Sequence, residues 1–170
     1  MHVVFLEPAF PANQKEFVRG LHAVGAKVTG IGERAVDALP ADVRQRLFHY
    51  EQVSSVVDDE AVLRIVRWAQ ERLPVDRLEA TVEAHVMTAA RVREACGIPG
   101  TSVRTAWLCR DKPAMKEALS AAGIPCAQSA GAGSAEEAHR FADGVGYPPW
   151  AKTSASAIVT STSPPHRSCI

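Results

Sequence analysis

This sequence has no net charge, no export signal and no covalent framework. Nineteen Lys and Arg stand against nineteen Asp and Glu, which excludes the long-range field that steers a protein to nucleic acid or anionic lipid. The first apolar run, Val3-Val4-Phe5-Leu6, ends at Glu7 and is too short for the core of a signal peptide. No stretch approaches the ~20 apolar residues of a membrane span. The four cysteines (Cys96, Cys109, Cys126, Cys169) form no C-x-x-C pair and have no histidines at zinc spacing, which argues against disulfides and a structural metal. The first three read as small buried apolar residues. There are no internal repeats. These absences predict a soluble, cytoplasmic protein acting on small molecules, with no nucleic-acid or membrane partner, and 170 residues suffice to bury an apolar core.

What is present is an alternation of two periods. Val3-Val4-Phe5-Leu6 reads as a buried strand. Phe17, Val18, Leu21 and Val24 then share one helical face, with Gly25 as a left-handed stop. A second strand is expected over 27–31, a short helix over 40–47 and a weaker strand over 49–53. Asp58 or Asp59 caps a long helix in which Val62, Val66, Ala69 and Leu73 form a buried stripe, leaving Arg64, Arg67 and Glu71 solvated. A fourth strand is expected over 76–82 and a helix over 85–96, closed by Gly97-Ile98-Pro99-Gly100. Strands separated by helices of crossover length predict an α/β fold, a Rossmann-like parallel sheet covered on both faces.

Beyond that boundary the rhythm changes to helix (113–122), short strand (126–129), helix (135–145) and an apolar stretch at Trp150. Ser134 with Glu137 is a capping box for the second helix. This is the beginning of an α+β unit. Residues 1–103, 104–152 and 153–170 are therefore expected to be a Rossmann-like domain, the incomplete start of a second domain, and an aberrant low-complexity tail. The tail holds eight Ser or Thr in eighteen residues, against eleven in the preceding 152, and is expected to be loose.

Several constellations invite a chemical reading. Gly30-Ile31-Gly32-Glu33-Arg34-Ala35 matches the dinucleotide fingerprint, but follows the second strand and leaves little room for a regular helix, so a strand ending in a glycine turn is the simpler reading. Ala130-Gly131-Ala132-Gly133-Ser134 lacks the Lys-Ser/Thr pair of a Walker loop. Glu79, Glu83 and His85 gather at the end of the fourth strand, where parallel sheets present ligand-facing groups. Helix capping is the competing account of Glu83 and His85.

The most specific stretch is Arg110-Asp111-Lys112-Pro113-Ala114-Met115-Lys116-Glu117-Ala118-Leu119, with the exit Ala122-Gly123-Ile124-Pro125. This D-K-x-x-M-K-x-x-L-x-x-A-G-I-P string resembles the entry to the nucleotide-binding region of the ATP-grasp superfamily. Ala89-Ala90-Arg91-Val92-Arg93 and Gly97-Ile98-Pro99-Gly100 resemble the same family's lead-in. Gly146-Tyr147-Pro148, followed four residues later by Lys152, resembles a second motif. The nearest pattern is the biotin-carboxylase or carbamoyl-phosphate-synthase type, including stand-alone carboxylate-amine ligases.

The resemblance covers residues 1–152 and implies that the Rossmann-like part is a pre-ATP-grasp domain. It implies Lys112 and Lys152 as the two ATP-phosphate lysines, point charges that neutralise a triphosphate without demanding planar geometry. For a full-length member it also implies ATP and Mg²⁺, small carboxylate and amine substrates, an acyl-phosphate intermediate, and a fold compatible with a homodimer. After Lys152 the pattern stops. Thr153-Ser154-Ala155-Ser156-Ala157 has no glycine where the family has a glycine-rich loop, and the adenine hinge, the Glu and Asn ligands of Mg²⁺ and the later arginines are missing. The expectation is an N-terminal fragment, truncated or frameshifted, inactive by itself, with no catalytic residue or metal ligand of its own and no stable hold on ATP. A non-catalytic Rossmann-like binding or interaction domain is the alternative, and a nicotinamide-dependent oxidoreductase using Gly30 and Gly32 the third.

Overall fold

The apolar run at positions 3–6 becomes the centre of a sheet. The computed structural model describes residues 1–145, 149–152 and 157–161, and the chain divides into two units, Met1–Trp107 and Leu108–Ile170. The first unit contains β1 (His2–Leu6), α1 (Gln14–Ala23), β2 (Lys27–Gly32), α2 (Ala41–Arg44), β3 (His49–Gln52), α3 (Asp59–Gln70), β4 (Arg77–Glu79) and α4 (Val86–Cys96), and α5 (Val103–Arg110) begins in it. Short 3-10 turns lie at Val36–Ala38 and Glu83–His85. The strands form one parallel sheet in the order β3-β2-β1-β4, with Val4 opposite both Thr29 and Leu78.

Side-chain alternation places β1 in two cores at once. Val4 and Leu6 pack with Ile31, Val62, Val66 and Leu78 on one face. Val3 and Phe5 pack with Val18, Ala26 and Val28 on the other. All five residues of β1 are buried, the pattern of a parallel strand covered on both sides. Each such Val or Leu contributes roughly 1.5–3 kcal/mol through burial, so β1 anchors the unit. Asp58 caps α3 by accepting the Ala61 N–H at 3.0 Å, and Val62, Val66 and Ala69 form its buried stripe.

Several expectations are corrected. The buried line of α1 runs through Gln14 and Val18, while Phe17 is 46% and Val24 75% exposed. Gln14 is held inside because the Thr81 hydroxyl donates to its Oε1. The fourth strand has three residues, since Ala80 to Val82 leave the sheet edge to enter the 3-10 turn. An unforeseen helix, α5, starts at Ser102, whose Oγ accepts the Thr105 N–H at 3.1 Å. That helix leaves Cys109 exposed, and Cys96 and Cys126 are only half-buried.

The second unit contains α6 (Lys112–Ala121), β5 (Ser129–Ala132), α7 (Ala135–Val145), β6 (Pro149–Lys152) and β7 (Ala157–Ser161). Its sheet is antiparallel in the order β5-β7-β6. The expected strand over 126–129 lies three residues later, and residues 157–161 of the expected tail form β7. Ile158, Val159 and Thr160 are β-branched residues that favour a pleated surface; the Ser/Thr count concealed that signal. The remainder of the expected tail, 153–156 and 162–170, lies outside the described residues. No helix among the described residues is long and apolar enough to cross a membrane.

Candidate functional site

The carboxyl edge of the parallel sheet gathers the first unit's titratable groups. Glu7 follows β1 directly, with φ +54° and 5% exposure. Its Oε1 accepts the Glu33 N–H at 2.6 Å, so the end of β1 holds the end of β2. Gly32 makes that approach feasible: a Cβ there would lie 2.8 Å from the Tyr50 hydroxyl and 3.1 Å from Glu7 Oε1. Gly30 is equally hemmed in, with Pro8 Cγ 2.9 Å from a would-be Cβ. Both glycines therefore lie inside β2 for packing. The next element is the 3-10 turn at Val36–Ala38, not a helix that could present amides to a pyrophosphate.

Around this junction, Glu33 Oε1 accepts the Val56 N–H at 3.0 Å, and the Tyr50 hydroxyl donates to the Arg34 carbonyl at 2.7 Å. Burial pushes the Glu7 carboxyl above its ordinary range against the opposing Glu33 N–H bond, and the Glu33 charge adds to the rise. Burial, then the Glu7 charge, pushes the Tyr50 phenol up to about 12. His85, at the end of its 3-10 turn, is buried and its Nδ1 has no hydrogen-bond partner. Burial lowers its pKa, while the Glu33 charge acts the other way. His85 provides no side-chain cap for α4, which removes the capping account for His85, and Glu83 is exposed at the start of the same turn. Sequence reasoning found His85 and Glu83 but missed Glu7, Glu33 and Tyr50. The available signal was a carboxylate placed immediately after a wholly buried strand.

In the second unit, the opening of α6 resolves into separate tasks. Asp111 is the N-cap and accepts the Ala114 N–H at 2.9 Å. Pro113 occupies the first turn, where a missing N–H costs nothing. Gly123, at φ +71°, lets the Ile124 N–H reach the Leu119 carbonyl at 3.0 Å, the usual left-handed helix exit. Lys112 has no such task. It is exposed and has no carboxylate partner among the described residues. An unpaired ammonium at the first position of a helix runs against the macrodipole, and an anion would relieve that cost.

Lys152 ends β6, in register with Ile158 of β7. The stretch Ala130-Gly131-Ala132-Gly133-Ser134 is largely strand. Ser134 Oγ accepts the Glu137 N–H at 3.2 Å, and Glu137 Oε2 returns the bond to the Gly133 N–H at 2.7 Å. The capping box is present with its return one residue early, and an internal carboxylate fills the place a phosphate would need. No group of three His, Cys, Asp or Glu among the described residues could hold a metal ion.

No protein-family model matches the sequence, and no curated protein matches it significantly. Its fold matches solved structures closely. Phosphoribosylglycinamide synthetase from Anaerococcus prevotii aligns at TM-score 0.69 and 12% identity over 94% of this chain and 44% of that one. L-amino acid ligase from Bacillus licheniformis aligns at 0.65 and 18% over 94% and 43%. The biotin carboxylase domain dimer of Hydrogenobacter thermophilus 2-oxoglutarate carboxylase, in complex with ADP, its magnesium salt and bicarbonate, aligns at 0.64 and 20% over 90% and 35%. The chain spans less than half the length of each. These neighbours are ATP-grasp carboxylate-amine ligases and related enzymes with a Rossmann-like N-terminal domain.

Proposed function

We propose, from this ATP-grasp fold, that the chain is the N-terminal part of an ATP-dependent ligase that activates a small carboxylate as an acyl phosphate for attack by an amine or another nucleophile. Lys112 and Lys152 are the residues assigned to the ATP phosphates. The observation that carries the reading is Lys112: Asp111 caps α6 and Pro113 fills its first turn, while Lys112 beside them is exposed with no carboxylate partner among the described residues. ATP, when bound, supplies the phosphoryl group. Lys112 neutralises phosphate charge at the helix start, and Asp111, committed to the Ala114 N–H, keeps that start in place. Because the chain spans less than half the length of the structures it resembles, we assign the 170-residue chain weak ATP binding and no ligase turnover of its own.

The test is labelling with a biotinylated ATP acyl phosphate, which acylates lysines beside bound phosphates. Lys112 should be modified, and excess ATP should protect it where sulfate of equal ionic strength does not. Absence of ATP-protected labelling at both Lys112 and Lys152 would remove the nucleotide assignment. ADP release that depends on an added carboxylate and amine would instead show that the chain is catalytically complete.

A further inference from the structure

The opposite, amino edge of the parallel sheet carries a cavity of about 350 Å³. Its lining includes Lys27, Phe48, Trp68, Ala69, Arg72 and Leu73, from the start of β2, the residue before β3, the last turn of α3 and the residues that follow it. That volume suits a small ligand, since ligand pockets start at about 300 Å³.

The floor makes no polar demand of its own. The buried His2 ring meets Thr29 Oγ1 at 2.9 Å through Nε2 and the Leu73 and Pro74 carbonyls through Nδ1, so these groups satisfy one another. The walls are aromatic: Phe48 is 56% exposed, and the Trp68 ring meets His49 at a tilt of 31°, centroids 4.9 Å apart.

The rim is cationic. Lys27 Nζ lies 4.8 Å from the Phe48 ring centroid and has no carboxylate partner among the described residues. The Arg72 guanidinium lies 4.0 Å over Trp68, donates one N–H to the Trp68 carbonyl and meets Glu71 only at 3.7 Å on the exposed side. A guanidinium has five N–H donors, so donors remain. The aromatic faces are thus already matched to cations, which disfavours a cationic guest. Flat apolar walls under two under-used positive groups favour a planar ring bearing a negative charge.

We propose that this cavity is a second small-molecule site, for a small aromatic anion, separate from the nucleotide assignment and independent of it. The ring lies among Phe48, Trp68, Ala69 and Leu73, which line the cavity, and the anionic group meets Lys27 and Arg72. Carboxylate and phosphate share this chemistry.

The experiment titrates the 170-residue chain with 2-naphthoate and 2-naphthyl phosphate, following backbone amide NMR shifts, with 2-naphthalenemethanol as the neutral control. Either anion should move the amides of Lys27, Phe48, His49 and Arg72, and the stronger of the two identifies the anion class. The alcohol, and the anions on Lys27→Glu and Arg72→Glu, should bind about tenfold more weakly, the equivalent of one charged contact. Phe48→Ala, at an exposed position, should weaken all three probes alike. Equal binding of acid and alcohol, shifts centred elsewhere, or none up to about 5 mM, a concentration that detects even weak association, would overturn the proposal.

Discussion

Gly32 has no room for a side chain, because the Tyr50 hydroxyl and the Glu7 carboxylate occupy the space a Cβ would need. Gly32→Ala is expected to destabilise the first unit by about 1–3 kcal/mol, the usual cost of overpacking. Adding Tyr50→Phe, which removes the nearer atom, should recover part of the loss in thermal unfolding; no recovery would place the strain elsewhere. Glu7 makes the second residue-scale prediction. Burial raises its carboxyl above the ordinary 4.5, so folding favours the protonated form. Its contribution is present below the ordinary value and is lost as pH rises through the folded one. Glu7→Gln is neutral throughout and should raise Tm at about pH 8, with the gain shrinking as pH falls to about 4.5. A variant no more stable than the parent at pH 8 would show that the charged form is the better accommodated. The cap at Asp111 was legible at this scale because it stands three residues before the N–H that it accepts. The cluster of Glu7, Glu33 and Tyr50 was not, since Glu33 and Tyr50 stand 26 and 43 residues from Glu7 and only the parallel register of β1, β2 and β3 brings them together.

Among the elements, β7 is one that sequence reading did not foresee. It lies between β5 and β6 and pairs with both, so its backbone N–H groups are engaged on two sides, as ladder partners require. Amides across Ala157–Ser161 are therefore expected to resist hydrogen exchange more than those of β5 or β6, its edge neighbours. Ile158→Pro, which removes a ladder donor, should abolish that protection while leaving the amides of β1 and β2 unchanged. Exchange across Ala157–Ser161 as fast as in an unfolded peptide would restore the expectation of a loose tail. By contrast α3, with an Asp cap and a four-residue apolar rhythm, formed as its pattern indicated. Local rules suffice where cap, period and length agree.

For the whole molecule the two units are unequal. Both large hydrophobic clusters lie within Met1–Trp107, whereas the described side chains of the second unit include only Ala132 and Ala142 as buried apolar residues. A polypeptide of residues 1–107 is expected to fold alone, with one cooperative thermal transition and the amide spectrum of the parallel sheet. A non-cooperative melt or a collapsed spectrum would show that the first unit depends on the second.

The sequence by itself determined the alternation of strands and helices, the two-sided burial of β1, an Asp cap at the start of α3, the Ser134 cap and a string around Lys112 that resembles the ATP-grasp entry. Each of these rests on residues within one or two turns of each other, where covalent geometry sets the spacing. Only the tertiary structure decided which glycines pack and which turn, which polar groups meet at the two edges of the sheet, and that a Ser/Thr-rich segment supplies a central strand. Those outcomes depend on register between distant strands, and register is fixed by the summed burial of both faces, a quantity no local window contains.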